Sequence, residues 1–159
     1  MTTAKWCMKN RFIEIRTDSF IELRSWMADG VLTLLVDQLY PSFNQRRIDR
    51  ILTFFQSDAD WPNGMTGGRE VGHEAIRSYW TQQFQVISSQ VTPLSYRMAA
   101  DVICLEVRQL IKDMEGEQLS DSVVFHTYRF VDGKVQRMDI SDQLPEGYAH
   151  IPGVLLTPH

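Results

Sequence analysis

The sequence is poor in cysteine: Cys7 and Cys104 are the two thiols among 159 residues. Two thiols without paired spacing supply neither a disulfide framework nor a thiolate metal site, so reduced thiols in a cytoplasmic protein are expected. Histidine is also scarce. His73, His126, His150 and His159 fall in no H-x-x-x-H or H-E-x-x-H arrangement, and no metal is expected. There is no basic run. The formal net charge is −4 and no Lys/Arg cluster lies among aromatics, which argues against nucleic acid as a partner. Long apolar stretches are missing too. The run at 31–36 is far too short to span a bilayer, so no membrane partner is expected. Lys5, Lys9 and Arg11 precede no unbroken apolar segment, so no secretory leader is expected. Neither an internal repeat nor a low-complexity stretch occurs.

What is present suits one soluble domain. Apolar residues make up 43% and charged residues 23%, and the length is enough for a sizeable core. Residues 1–30 read as an extension of undetermined structure. Phe12, Ile13, Ile15, Phe20, Ile21, Leu23 and Trp26 alternate with charges in a way that suits a short strand or an amphipathic helix. Asp29-Gly30 is expected to break it, and Met27 is a candidate true start. From residue 31 the pattern sharpens. Leu32, Leu35, Val36 and Leu39 recur at helical spacing, and Pro41 is expected to kink or end that helix. Ile48, Ile51, Leu52 and Phe55 form one face of a second helix. A short extended segment carrying Trp61 follows, then a loop punctuated by Asn63-Gly64 and Gly67-Gly68. A third helix at about 73–87 places Ile76, Trp80, Phe84 and Ile87 on one face, with Glu74 suited to its first turn.

The remainder reads as antiparallel strands at 91–98, 102–113, 118–131 and 134–140. Turns are expected at 99–101 and 114–117, and Asp132-Gly133 is a hairpin signal. Residues 143–159, with three prolines and two glycines, read as an irregular tail. Helices first and a strand meander after make a curved antiparallel sheet, with helices on its concave face, the simplest α+β solution. Such a sheet leaves a cavity at its open end.

The segments SDADWPNG, GHEAIRSYW and HTYRFVDGKVQRMDI carry a resemblance. In this order and spacing, over residues 31–142, the chain resembles the nuclear transport factor 2-like superfamily, in the branch of SnoaL-like polyketide cyclases and steroid delta-isomerases. The resemblance implies a cone-shaped curved antiparallel sheet wrapped around N-terminal helices, a cystatin-like α+β barrel, and a homodimer through the outer face of the sheet. It does not name a function, because the fold hosts many. The proton-shuttling carboxylate of the isomerases falls on Asn63, and an amide cannot abstract a proton. Their first-helix tyrosine falls on Leu39, with Tyr40 one step away and expected to point elsewhere. Their second oxyanion donor falls on His126, which can still donate a hydrogen bond. The histidine of the cyclases also falls on His126. Their aspartate falls on Ile140, and Asp139, one residue off, is expected on the opposite face.

Alternation along the strands puts Val124, His126, Tyr128 and Phe130 on one face, with Met138 and Ile140 facing the same way. Trp61, Asn63, Trp80, Phe84 and Gln109 are expected to join them around an apolar cavity with a few polar groups. Each polar candidate has a plainer role open to it. His126 could be a core histidine bonded to Tyr128 or to a carbonyl, Asn63 a turn residue, and Trp61 core. Asp58, Asp60 and Asp139 suit solvated or arginine-paired positions, with Arg129 and Arg137 nearby. Two functions stay open. One is a cofactor-independent isomerase, cyclase or dehydratase, with His126 as acid–base and Asn63 or Tyr128 polarising a carbonyl. The other is a non-catalytic module for a small hydrophobic molecule or a protein partner.

Overall fold

The computed structural model describes residues 30–99 and 102–156, together with the backbone of 3–8 and 11–16. The expectations for Phe20 to Trp26, for Met27 as a start, for the turn at Ala100-Asp101 and for His159 lie outside the described residues. Strands β1 (Thr3–Met8) and β2 (Arg11–Arg16) pair antiparallel as a two-stranded sheet, the strand alternative for this segment.

The first helix, α1, is formed at Gly30 and continues to residue 44; Asp29 and the segment that the expected break would end lie outside the described residues. Pro41 neither ends nor sharply kinks it. Proline has no N–H and its ring crowds the carbonyl four residues back. The helix answers by widening: Leu34–Leu39 wind as a π-helix, and the Tyr40 N–H reaches back to Leu35 O. The closing turn, Tyr40–Asn44, is α-helical. One extra residue per turn rotates everything after it, and both Leu39 and Tyr40 end up buried. Helix α2 (Ile48–Leu52) buries Ile51 and Leu52. Phe55 begins β3 (Phe55–Pro62) rather than ending α2, because its backbone already lies level with Val135 of the sheet.

Strand β4 (Arg69–Val71) folds back on β3, and Gly72 at φ 90° turns the chain into α3 (His73–Val86). That left-handed conformation costs little only for glycine. Helix α3 passes into β5 (Ile87–Ala99) without an intervening residue. The meander continues through β6 (Val102–Asp113), β7 (Gln118–Val131) and β8 (Lys134–Ser141). Asp132 and Gly133, at φ 50° and 77°, make the tight turn between the last two.

With a short last strand, β9 (Val154–Leu155), the result is a seven-stranded curved, unclosed sheet in the order β4-β3-β8-β7-β6-β5-β9. Two features depart from expectation. The β3–β8 junction is parallel, since the two strands are joined by α3 and the whole meander and no hairpin imposes an antiparallel pair. The tail is not irregular throughout. Glu146–Tyr148 form a 3-10 turn, and β9 (Val154–Leu155) pairs with β5 at Ser95 and Tyr96.

The core lies on the concave side. Leu35, Leu39, Ile51, Ile76 and Trp80 of the helices meet Ile103, Leu105, Val107, Tyr128 and Met138 of the sheet. Each such side chain contributes about 1.5–3 kcal/mol by leaving water. Trp80 sits among Phe43, Phe55 and Trp61, with ring centroids 6.1, 5.7 and 5.3 Å away and edge-on geometry throughout. On the other side of β3 and β8, Asp60, Arg69, Arg137 and Asp139 close a ring of alternating charge.

Candidate functional site

Inside the sheet, a cavity is lined by Leu39, Tyr40, Trp61, Pro62, Gly64, Tyr79, Trp80, Gln83, Gln109, His126, Tyr128, Met138 and Ile140, with Phe43 and Val91. Of the expected lining residues, Trp61, Trp80, Gln109, His126, Tyr128, Met138 and Ile140 are brought together. Register explains the sheet contribution: His126 pairs with Leu105 and Ile140, and Tyr128 with Ile103 and Met138, so these rows share the inner face. The exposed rim is Gly64 and Ile140, and the deep end is Leu39, Trp80 and Tyr128. The enclosed space is about 60 Å³, because the rings of Trp61, Trp80 and Tyr128 fill much of the hollow. That is room for a few waters or a fragment-sized group, not a whole polycycle.

Four of the expected residues are not on the lining: Val124 and Phe130 belong to the core packing instead, and Phe84 and Asn63 sit elsewhere. Phe84 packs edge-on against Phe43 at 5.4 Å and beneath the Arg46 guanidinium at 4.7 Å, one turn of α3 beyond the cavity. Asn63 belongs to the loop. Its Oδ1 accepts from the N–H groups of Met65 and Thr66, and its Nδ2 donates to Glu70. These bonds hold the turn, and Asn63 is not among the residues lining the cavity.

The polar centre is a row of three side chains. The Tyr40 hydroxyl lies 2.9 Å from His126 Nδ1, and the Tyr128 hydroxyl donates to Tyr40 at 3.0 Å. Tyr40 therefore points inward, contrary to the expectation from the resemblance, because the π-turn before it shifts its direction. All three are buried. Burial pushes the His126 imidazolium down to a pKa of about 4, so the ring is neutral at ordinary pH. Burial likewise raises Tyr40 well above the usual tyrosine range, with the neighbouring Tyr128 adding to the effect, and it raises Tyr128. Neither phenol ionises near neutrality.

Two of the lining residues carry a buried polar atom with no partner among the described residues: His126 Nε2 and Trp80 Nε1. Native proteins leave few such groups unpaired, so each calls for an explanation. Among the described residues no carboxylate lines the cavity, and no three His, Cys, Asp or Glu side chains gather where a metal could sit. Asp139 faces away, held by Arg137 and Arg69. Tyr79 and Gln83 went unnoticed in the sequence although they flank Trp80 at helical spacing. The Tyr79 hydroxyl accepts from the Gly64 N–H at 3.0 Å and ties the 63–68 loop to α3. No helix among the described residues is long and apolar enough to cross a membrane.

No curated protein sequence matches the chain. Among solved structures it is similar to TerC co-crystallised with polyporic acid, at 22% identity and TM-score 0.60, covering 72% of this chain and 89% of that one. A putative polyketide cyclase from Xanthomonas campestris pv. campestris gives 18% identity and TM-score 0.61, over 72% and 90%. A computationally designed 17-OHP binder gives 17% identity and TM-score 0.62, over 72% and 94%. At these identities the likeness is one of fold. The SnoaL-like domain model matches residues 36–138, which runs from the π-turn of α1 through β8 to Met138. The chain belongs to the SnoaL-like family of the nuclear transport factor 2-like superfamily.

Proposed function

We infer that the cavity binds a small apolar molecule through one polar group, met by His126 and Trp80. The observation that carries this reading is the pair of unpartnered buried nitrogens on residues of one mostly apolar lining. A ligand that pairs them removes two desolvation penalties while its apolar body stacks on Trp61 and Tyr128. Trp80 Nε1 is a donor and nothing else, so the ligand places an acceptor oxygen beside it. The solved relatives complexed with polyporic acid or designed for 17-OHP lend this reading support by fold alone. A body larger than the present space enters by movement of the 63–68 loop.

The test is a titration of conjugated ketones and hydroxyquinones followed by Trp fluorescence, on the wild type and on His126→Phe. Saturable quenching that weakens about tenfold in the variant is expected, the loss of one buried hydrogen bond. Absence of saturable binding across the panel overturns the reading.

A second reading is enzymatic: cofactor-independent isomerisation, cyclisation or dehydration with His126 as acid–base. It is favoured by the unpaired Nε2 of an imidazole that is neutral at ordinary pH. With no carboxylate on the lining, proton transfer would fall to that ring. Turnover of a carbonyl or polyketide panel that disappears in His126→Gln supports it, and binding without turnover leaves the binding module. A homodimer through the outer face of the sheet, expected from the family resemblance, is checked by sedimentation equilibrium.

A further inference from the structure

We propose that Tyr40 is a positioning residue that fixes His126 as its Nε2–H tautomer and so makes the cavity selective for a hydrogen-bond acceptor. The inference rests on the cavity being a ligand site, and it follows from counting protons along the row. Tyr128 has Tyr40 as its one hydrogen-bond partner among the described residues, and it donates to it at 3.0 Å. The Tyr40 oxygen has a single proton, and His126 Nδ1 lies 2.9 Å away. With Tyr128 donating to it, Tyr40 donates in turn to Nδ1. A neutral imidazole that accepts at Nδ1 carries its proton at Nε2.

The reverse polarity is disfavoured. If Nδ1–H donated to Tyr40 and Tyr40 to Tyr128, the Tyr128 proton would be left buried without an acceptor, and Nε2 would still be unpaired. The first arrangement satisfies all but one group, and the second leaves two unsatisfied. Tyr128 therefore sets the direction and Tyr40 passes it to the imidazole.

The backbone secures this arrangement. Pro41 and the π-turn at Leu34–Leu39 rotate Tyr40 onto the ring, and the Tyr40 N–H is anchored on Leu35 O. His126 is held from the sheet by its neighbours Leu105 and Ile140. The consequence is chemical. Nε2 then carries an N–H, as does Trp80 Nε1, so the two unpartnered buried nitrogens of the lining residues are both donors and neither ring presents a lone pair there. A carbonyl or enolate oxygen fits, and a ligand whose matching group is itself an N–H meets a donor facing a donor.

The test starts with the wild-type protein. Nitrogen-15 NMR of the His126 ring near neutral pH is expected to show a pyridine-type Nδ1 and a pyrrole-type Nε2 as a single tautomer. A pyrrole-type Nδ1 overturns the proposal whatever binds. Two small probes then read selectivity by NMR titration: cyclopent-2-enone, which accepts, and pyrrole, which donates. Wild type is expected to favour the enone by at least about tenfold. In Tyr40→Phe, which keeps the ring and removes the proton, the tautomers are expected to mix and the preference to shrink to about threefold or less. A variant that keeps both the single tautomer and the full preference overturns the role of Tyr40. If neither probe binds while the wild-type ring is the Nε2–H form, the failure lies with the ligand-site reading and not with the tautomer assignment.

Discussion

Arg137 Nη1 lies 2.8 Å from Asp60 Oδ2 across the parallel junction of β3 and β8. Around that contact Arg69 bridges Asp60 and Asp139, and Arg137 also grips Asp139 at 2.9 Å, so two guanidinium groups and two carboxylates alternate. Arg69 adds a bond to Met138 O at 2.6 Å, which ties the ring to the backbone behind the cavity. Asp60 keeps 23% of its side chain exposed and Asp139 49%, so water screens Asp139 more. Asp60→Asn is expected to cost about 1–2 kcal/mol and Asp139→Asn less than about 1 kcal/mol. Urea unfolding at low and high salt checks both, with the penalties shrinking as salt rises. Equal penalties for the two would show that exposure does not govern this ring.

His126 gives stability a pH dependence of known sign. Its native pKa is about 4 against an ordinary 6.5, because burial disfavours the imidazolium. Below about pH 6.5 the unfolded chain takes up a proton there that the native chain refuses until about pH 4. Stability is therefore full above that window and falls by about 3 kcal/mol through it as the pH drops. Unfolding free energies at about pH 7.5 and about pH 5 are expected to differ more in wild type than in His126→Gln, which has nothing to titrate there. The same slope in both proteins would show that the imidazole is not held neutral.

The 63–68 loop is closed on itself and fastened at one point. The Asn63 N–H donates to Gly68 O and the Gly67 N–H donates to Asn63 O, while the Gly64 N–H reaches across to the Tyr79 hydroxyl. Tyr79→Phe removes that fastening and keeps the ring. The Gly64 amide is expected to exchange with solvent about tenfold faster in the variant, the loss of one hydrogen bond worth about 1.4 kcal/mol. Ligand association is expected to quicken alongside it. Unchanged exchange at Gly64 would show that the loop is held by its internal bonds alone.

Much of the fold was legible because its strands alternate. Ile103, Leu105 and Val107 on β6, and Val124, His126 and Tyr128 on β7, mark one face residue by residue, and Asp132-Gly133 marks the turn. His126, Tyr128, Gln109, Met138 and Ile140 followed from that pattern, Trp80 from the helical spacing of α3, and Trp61 from its place in the extended segment before the loop. Tyr40 did not. A helical wheel assumes 3.6 residues per turn, and the π-turn forced by Pro41 breaks that assumption one turn before the residue that matters. Phe84 shares a face with Trp80 in sequence, but α3 is longer than the cavity, so its last turn packs on Phe43 instead. β9 was hidden for another reason. Two residues pairing at a sheet edge leave no periodicity to read among the prolines and glycines of the tail.

The direct passage from Val86 of α3 to Ile87 of β5 leaves no slack in the chain. A helix welded in this way to a strand that is laddered to β6 from Ile87 to Ala99 cannot swing out to widen the hollow without tearing that ladder. Trp80, Tyr79 and Gln83 thus form a fixed wall, and what give the hollow has is left to the glycine-rich 63–68 rim, which that wall holds by the single Gly64–Tyr79 bond.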